Sequence, residues 1–462
     1  MSEIQLNIAL EKIENPLQKA LAGGRFVYLA ECHVPEEERS IVQAAERIMP
    51  LAEKMWSLDD LCGGLAILDL PESSFSAIEL LSALPENKRN CNCAFLSGSG
   101  RDTEDIISEL KHAAGAGIRN ITTVSGDALP RTLRECRSRQ FTSSINSLQL
   151  IRDAEDFFPG STINPFHYRA DALWGTLSNL KRKLASGAEY LVVQSGWDML
   201  QIQTLSWYML RNRLYTPYLV RLTLLTPDKV ERIVSGEVPG VRISRDFRKL
   251  LEQELCGNSA QFEAAQYRRL ELQAAGARLM GASGVIVSGV TSPGKAEIVA
   301  RKLRSALDEF KCFEHWLDEY NLHQAGVEMT NALHNYRLYD RVLRRSYPFD
   351  EPPTGNDPGV FPVSRSERFG QKLRKMFFAN AHCHRASHDR LMKKLLASCR
   401  GCQHCRLPEH EFVCVENCPK GLEFGPCGGV REDGKCEIGN FECVHVKIVR
   451  YSSNRKPQNY LE

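Results

Sequence analysis

From residue 25 to about 310 the chain alternates short, β-rich apolar runs with longer stretches of helical periodicity, and this alternation limits the fold more than any other feature. The runs are RFVYLAE (25–31), GGLAILDLP (63–71), NCAFLSG (92–98), RNITTVSG (119–126), STINP (161–165), EYLVVQ (189–194), PYLVRLTLL (217–225) and GVIVSGV (284–290). Between them lie periodic segments such as TEDIISELKHAAGAG and ADALWGTLSNLKRKLASG, each closing near a glycine that would stop a helix. Eight such repeats predict an α/β chain, a (β/α)8 TIM barrel, rather than an open doubly wound sheet. No GxGxxG follows the first run, which argues against a dinucleotide-binding fold.

Composition sets the surroundings. The 462 residues are 43% hydrophobic and 25% charged, enough for one large core and a smaller one, and the formal charge of +2 gives no basic surface for nucleic acid or an anionic membrane. The opening MSEIQLNIALEKIENPLQKALAGG has no apolar signal core and no stretch reaches membrane-spanning length, so a cytoplasmic, reducing location is expected. There, nine cysteines among the last eighty residues, of sixteen in all, read as metal ligands rather than disulfides. Cys62, Cys136, Cys256 and Cys312 read as free thiols.

In a barrel the reactive groups gather at the carboxyl ends of the strands, which makes Glu31, Asp69, Asp127, Asn164 and Gln194 the candidates. Helix capping accounts for Asp69 or Asp127 about as well as function does. Glu31 directly follows the apolar run FVYLA, at the mouth of the barrel, where a glutamate screened from water can have its pKa raised enough to act as a general acid near neutral pH; a solvated turn is the plainer reading.

Two segments resemble the methylenetetrahydrofolate reductase family: GIRNITTVSGDALP (117–130) and LSNLKRKLASGAEYLVVQSGWD (177–198). The resemblance covers residues 20–305. It implies that Ser125, Gly126, Asp127, Asn179, Arg182 and Lys183 bind a flavin, FMN or FAD. It also implies that Gln194 and Asp69 bind the tetrahydrofolate one-carbon substrate and that Glu31 is catalytic. Asn179, Arg182 and Lys183 are spaced to share one helix face. The chain departs from the family at Cys32-His33-Val34-Pro35, at Ser125, at Ala94-Phe95-Leu96-Ser97-Gly98 and at Ser195-Gly196-Trp197-Asp198.

The tail resembles the cysteine-rich domain at the C-terminus of some of these reductases and in the small subunit of the acetogen-type enzyme, through Cys402, Cys405, Cys414, Cys418-Pro419-Lys420, Gly425–Gly429, Gly434–Glu437 and Cys443. The spacing Cys399-x2-Cys402-x2-Cys405, with Cys418-Pro419 after it, is ferredoxin-like and favours a 4Fe-4S cluster. Cys414, Cys427, Cys436 and Cys443 remain for a second cluster or a zinc ion, and zinc as a structural staple is the alternative for the whole tail. His382, Cys383, His384 and His388 are left outside the site.

Three units are therefore expected: a barrel over 1–310, a helical connection and Pro/Gly-rich linker over 311–385, and a cysteine-rich iron-sulfur or zinc domain over 386–462. Together they imply flavin-dependent reduction of methylenetetrahydrofolate to methyltetrahydrofolate, with electrons supplied through the tail by a redox protein partner or electron-transfer complex, in an oligomer. One alternative draws hydride from NAD(P)H. Another is a catalytically silent folate-binding or assembly subunit with a structural zinc tail.

Overall fold

The computed structural model describes residues 14–34, 40–69, 73–126, 133–138, 140–154, 156–327, 329, 361–379, 387–402 and 405–453. Asp127, Cys383, His382 and His384 lie outside the described residues, as does nearly all of the expected linker.

All eight apolar runs contribute strands: β1 (Val27–His33), β2 (Gly64–Leu68), β3 (Cys93–Ser97), β4 (Asn120–Val124), β5 (Phe158–Ile163), β6 (Tyr190–Val193), β7 (Tyr218–Thr223) and β8 (Gly284–Ser288). They pair in parallel in chain order, and β1 closes against β8 through registers such as Leu29 with Ile286. The sequence therefore folds as a closed (β/α)8 barrel.

Period-two alternation sorts each strand into two layers. Val27, Leu29, Ala66, Cys93, Phe95, Phe158, Tyr190, Val192, Leu219 and Ile286 fill the barrel, and Leu17, Ala20 and Leu21 of the helix Pro16–Ala22 join them in that cluster. The interleaved Tyr28, Ala30, Leu65, Ile67, Leu191, Val193, Val220 and Val287 pack outward under the helices. Each such buried leucine, isoleucine or valine contributes about 1.5–3 kcal/mol relative to exposure. Helix starts carry the side-chain caps that orphaned N–H groups require, with capping boxes at Ser76 and Asp102.

The tail folds against the barrel. Its last helix, Val444–Ser452, places Val446 beside Ala172 of the barrel helix Ala170–Ala185, together with Val430 and Cys443. Within the tail, Arg450 bridges Glu367 at 2.7 Å and Glu442 at 2.8 Å. No helix among the described residues is long and apolar enough to cross a membrane.

Candidate functional site

The interior register continues past the apolar layers. Two residues beyond Leu29 stands Glu31, two beyond Val192 stands Gln194, two beyond Leu219 stands Arg221, and two beyond Ile286 stands Ser288, so the next layer toward the carboxyl end is polar. Arg221 joins it. Its Nε and Nη2 donate to Glu31 Oε2 at 2.9 and 2.6 Å, and its Nη1 donates to Gln194 Oε1 at 2.7 Å. Gln194 Oε1 also accepts from the N–H of Ser195 at 3.0 Å. Lys229 Nζ donates to Ser288 Oγ at 2.7 Å, and both act on Glu31.

This arrangement corrects the expectation of a raised Glu31 pKa. Burial is the largest single influence and pushes the carboxyl up. The charges of Arg221, His33 and Lys229 and a hydrogen bond from Ser288 together outweigh it, and the pKa falls below the usual carboxylate value. Glu31 is an anion in this state.

Above Gln194 lies a cavity of about 110 Å³ lined by Gly126, Asn164, Thr176, Asn179, Lys183 and Gln194 of the barrel and by Lys420, Phe424 and Pro426–Gly429 of the tail. Its chemistry is polar. Asn179 Oδ1 and Thr176 Oγ1 are buried without a hydrogen-bond partner among the described residues, which leaves both able to bond a group in the cavity. Lys183 Nζ donates to the carbonyl of Thr162, and burial lowers its pKa to about 8 against a smaller opposing pull from Cys427. Gly126 holds φ at +76°, and a Cβ there would stand 2.3 Å from Ser97 Oγ, so the backbone passes where only glycine fits.

The expected residues divide into three groups. Gly126, Asn179, Lys183 and Gln194 converge on the cavity together with Ser125, whose Oγ accepts from the N–H of Ser144 at 3.3 Å. Arg182 instead stacks its guanidinium 5.5 Å from the ring of Phe424 in the tail. Asp69 lies in a separate recess, where it accepts from the N–H of Ser97 at 3.1 Å and pairs with Arg101. Arg221 and Lys420 are absent from the sequence-based candidates. Arg221 was legible from the register of PYLVRLTLL. Lys420 was quoted there only as part of the tail motif.

The tail seals the cavity from above. Lys420 Nζ donates to the carbonyl of Gly126 at 2.9 Å and pairs with Glu437 at 2.6 Å. Asn164 Nδ2 donates to the carbonyl of Gly428 at 2.9 Å, and Arg242 reaches the carbonyl of Val430 at 2.8 Å. Eight described tail cysteines, Cys399, Cys402, Cys405, Cys414, Cys418, Cys427, Cys436 and Cys443, carry no disulfide. Among the described residues no three histidine, cysteine or carboxylate side chains converge closely enough to hold one ion.

A closed parallel barrel with a polar layer and a cavity at its carboxyl end defines an α/β barrel of the enzyme-bearing type. Residues 17–205 match the family model described as methylenetetrahydrofolate reductase, and residues 378–462 match the one described as methylene-tetrahydrofolate reductase C terminal. The two matches fall on the barrel and on the cysteine-rich tail respectively. A similar solved structure is an uncharacterized protein from Clostridium thermocellum that binds two copies of 5-methyl-5,6,7,8-tetrahydrofolic acid, with 14% identity, 62% of this chain and 97% of that chain covered, and a TM-score of 0.46. Another is the recombinant flavin-binding domain of baker's yeast flavocytochrome b2, with 9% identity, 62% and 63% covered, and a TM-score of 0.33. No curated protein matches the chain.

Proposed function

We propose that the protein is a folate-dependent oxidoreductase that reduces methylenetetrahydrofolate to methyltetrahydrofolate, with FMN or FAD bound in the barrel and electrons supplied through metal held by the tail. The family match supports the oxidoreductase class. The observation that carries the reading is the Glu31–Arg221–Gln194 chain at the carboxyl ends of β1, β7 and β6, beside a cavity with unpartnered polar atoms.

The donor set fits a flavin, with Lys183, Asn179, Thr176 and the glycine backbone at 126 turned to the cavity. A bound flavin supplies hydride and accepts electrons one at a time. The amide of Gln194 offers donor and acceptor to a pterin ring. Arg221 fixes that amide and holds Glu31 ionised. For Glu31 to carry a proton more readily, Arg221 must turn to another partner, because that removes the largest influence holding the carboxyl down and leaves His33, Lys229 and Ser288 to oppose burial. A substrate that draws Arg221 away therefore shifts Glu31 toward its acid form.

The test is anaerobic purification with flavin analysis, followed by methylenetetrahydrofolate reduction with a chemically reduced ferredoxin as donor. Bound flavin and turnover, with turnover lost at least 100-fold in Glu31→Gln while flavin stays bound, support the reading. A second reading, a silent folate-binding subunit, draws on the departures from the family's motifs at Ser125 and Ser195-Gly196-Trp197-Asp198; the cavity, at about 110 Å³, is below the roughly 300–1,000 Å³ of ligand sites for either ligand while the loop Gly425–Gly429 stays in place. A folded protein that binds folate without flavin or turnover would establish that second reading.

A further inference from the structure

Glu31 is dry, with 3% of its side chain exposed, so each proton it gives up has to be replaced from solvent through a neighbour. Its two oxygens face different groups. Oε2 takes both bonds from Arg221, whereas Oε1 faces His33, whose Nε2 stands 3.7 Å away. The strand makes that pairing, because the period-two register that carries Leu29 to Glu31 carries Glu31 to His33, one layer nearer the opening. There the His33 side chain is 50% exposed. A half-wet imidazole above a dry carboxylate joins bulk water to the site.

We propose that His33 is the proton relay of the barrel mouth, taking protons from solvent and handing them to Oε1 of Glu31. This rests on the reading of Glu31 as the acid of folate reduction and names the residue that recharges it. His33 acts through Glu31 and does not itself meet the substrate. In the relay step the imidazolium loses its Nε2 proton, Oε1 gains it, and the neutral ring takes one proton from water or a buffer acid. No electrons move, and one proton enters from bulk for each one delivered. The 3.7 Å gap exceeds a hydrogen bond, so transfer requires a small approach of the ring or one bridging water.

The neighbouring groups leave this role to His33. Arg221 of β7, Lys229 of the helix Pro227–Val234 and Ser288 of β8 also act on Glu31, and the Cys32 thiol beside it is pushed up to about 12, chiefly by burial. On the β2 side His33 is level with Leu68, and the following Asp69 is taken by Arg101. Among these side-chain types only an imidazole ordinarily gains and loses a proton between about pH 5 and 8. His33 belongs to Cys32-His33-Val34-Pro35, where the chain departs from the family's motif, so the relay is a property of this chain.

The pairing is tested first, by following the His33 ring protons by NMR against pH in the full chain without folate. Loss of the carboxylate charge in Glu31→Gln should move the His33 titration to lower pH, and an unmoved titration overturns the pairing. The relay is then read from folate turnover of the flavin-loaded protein in dilute buffer. His33→Ala should slow turnover by about 10-fold or more, and added imidazole should restore much of the loss while leaving the wild type unchanged. A structural role would not respond to a diffusing base. Wild-type speed in His33→Ala, or slow turnover at every imidazole concentration, overturns the relay. Should His33→Ala fail to fold, the wild type decides: its turnover must fall as pH rises through the His33 titration seen by NMR, and a flat rate there overturns the relay. A wild type with His33 and Glu31 coupled but no folate turnover defeats the reduction reading instead, so the two failures are distinguishable.

Discussion

Arg221 is the residue on which the site's charge balance turns. Glu31 has its pKa lowered in the folded chain, so its pairing adds stability that is present above the unfolded carboxylate value of about 4.3 and is lost as pH falls through the lower folded value. Arg221→Met removes the largest influence that lowers that pKa. The folded pKa then rises, and a buried carboxylate that has lost its main partner costs most at neutral pH, a cost that shrinks as acid protonates it. We expect Arg221→Met to lose about 3–5 kcal/mol at pH 7, less at pH 5, and Glu31→Gln/Arg221→Met to recover much of the loss. Denaturant titrations at the two pH values check this, and equal losses at both would contradict it. Lys183 gives the opposite test. Its pKa falls to about 8 on burial, so the unfolded chain holds more protons between that value and about 10.4, and stability should rise with pH across the window. Lys183→Met should flatten the rise, and an unchanged slope would show that another group produces it.

At the scale of elements, all eight strands were legible because apolar runs bounded by polar turns are what a barrel strand requires, and the departures have local causes. β5 begins at Phe158, before the STINP run, although Pro159-Gly160 reads as a turn. Gly160 is there to admit Tyr190, whose ring atoms would lie 2.3 Å from a Cβ at that position, and Phe158 stacks on the same ring at 4.9 Å. Arg221 escaped a search of strand ends because it is inside β7, where the alternation and not the terminus marks it. Asp69 follows the interior Leu68 and so falls on the opposite face, which no motif discloses. The tail's partners were illegible for a different reason, since contacts separated by some 260 residues leave no local pattern. One glycine permits a close approach within that docking. A Cβ at Gly175 would meet Pro426 Cδ at 2.8 Å and Val449 Cγ2 at 3.2 Å. Gly175→Val should therefore lift the tail from the barrel while favouring the helix itself, seen as faster proteolysis of the tail with barrel melting unchanged. Equal protection in both proteins would show that the contact yields without undocking.

For the whole molecule, the question is whether the barrel and the tail act as one body or as a vessel and its cover. The mouth is held by a few side-chain to carbonyl hydrogen bonds, from Lys420 to Gly126, Asn164 to Gly428, Arg242 to Val430 and Arg169 to Asp433. Each such bond is worth about 0.5–1.5 kcal/mol net. The barrel rests on eight continuous ladders and a large apolar core. Local opening at the mouth thus costs far less than global unfolding, and a ligand larger than the present cavity has a route in. Asn164→Ala/Lys420→Met should raise amide exchange at Gly425–Gly429 and around Gly126 by about 10-fold or more, since two lost bonds of that size shift the opening equilibrium by this much. The same variant should leave strand amides of β1–β8 protected and should speed the entry of a folate probe. Strand amides that lose protection in step with the loop would mean that barrel and tail open only together, and the tail would then be a structural wall of the site rather than its cover.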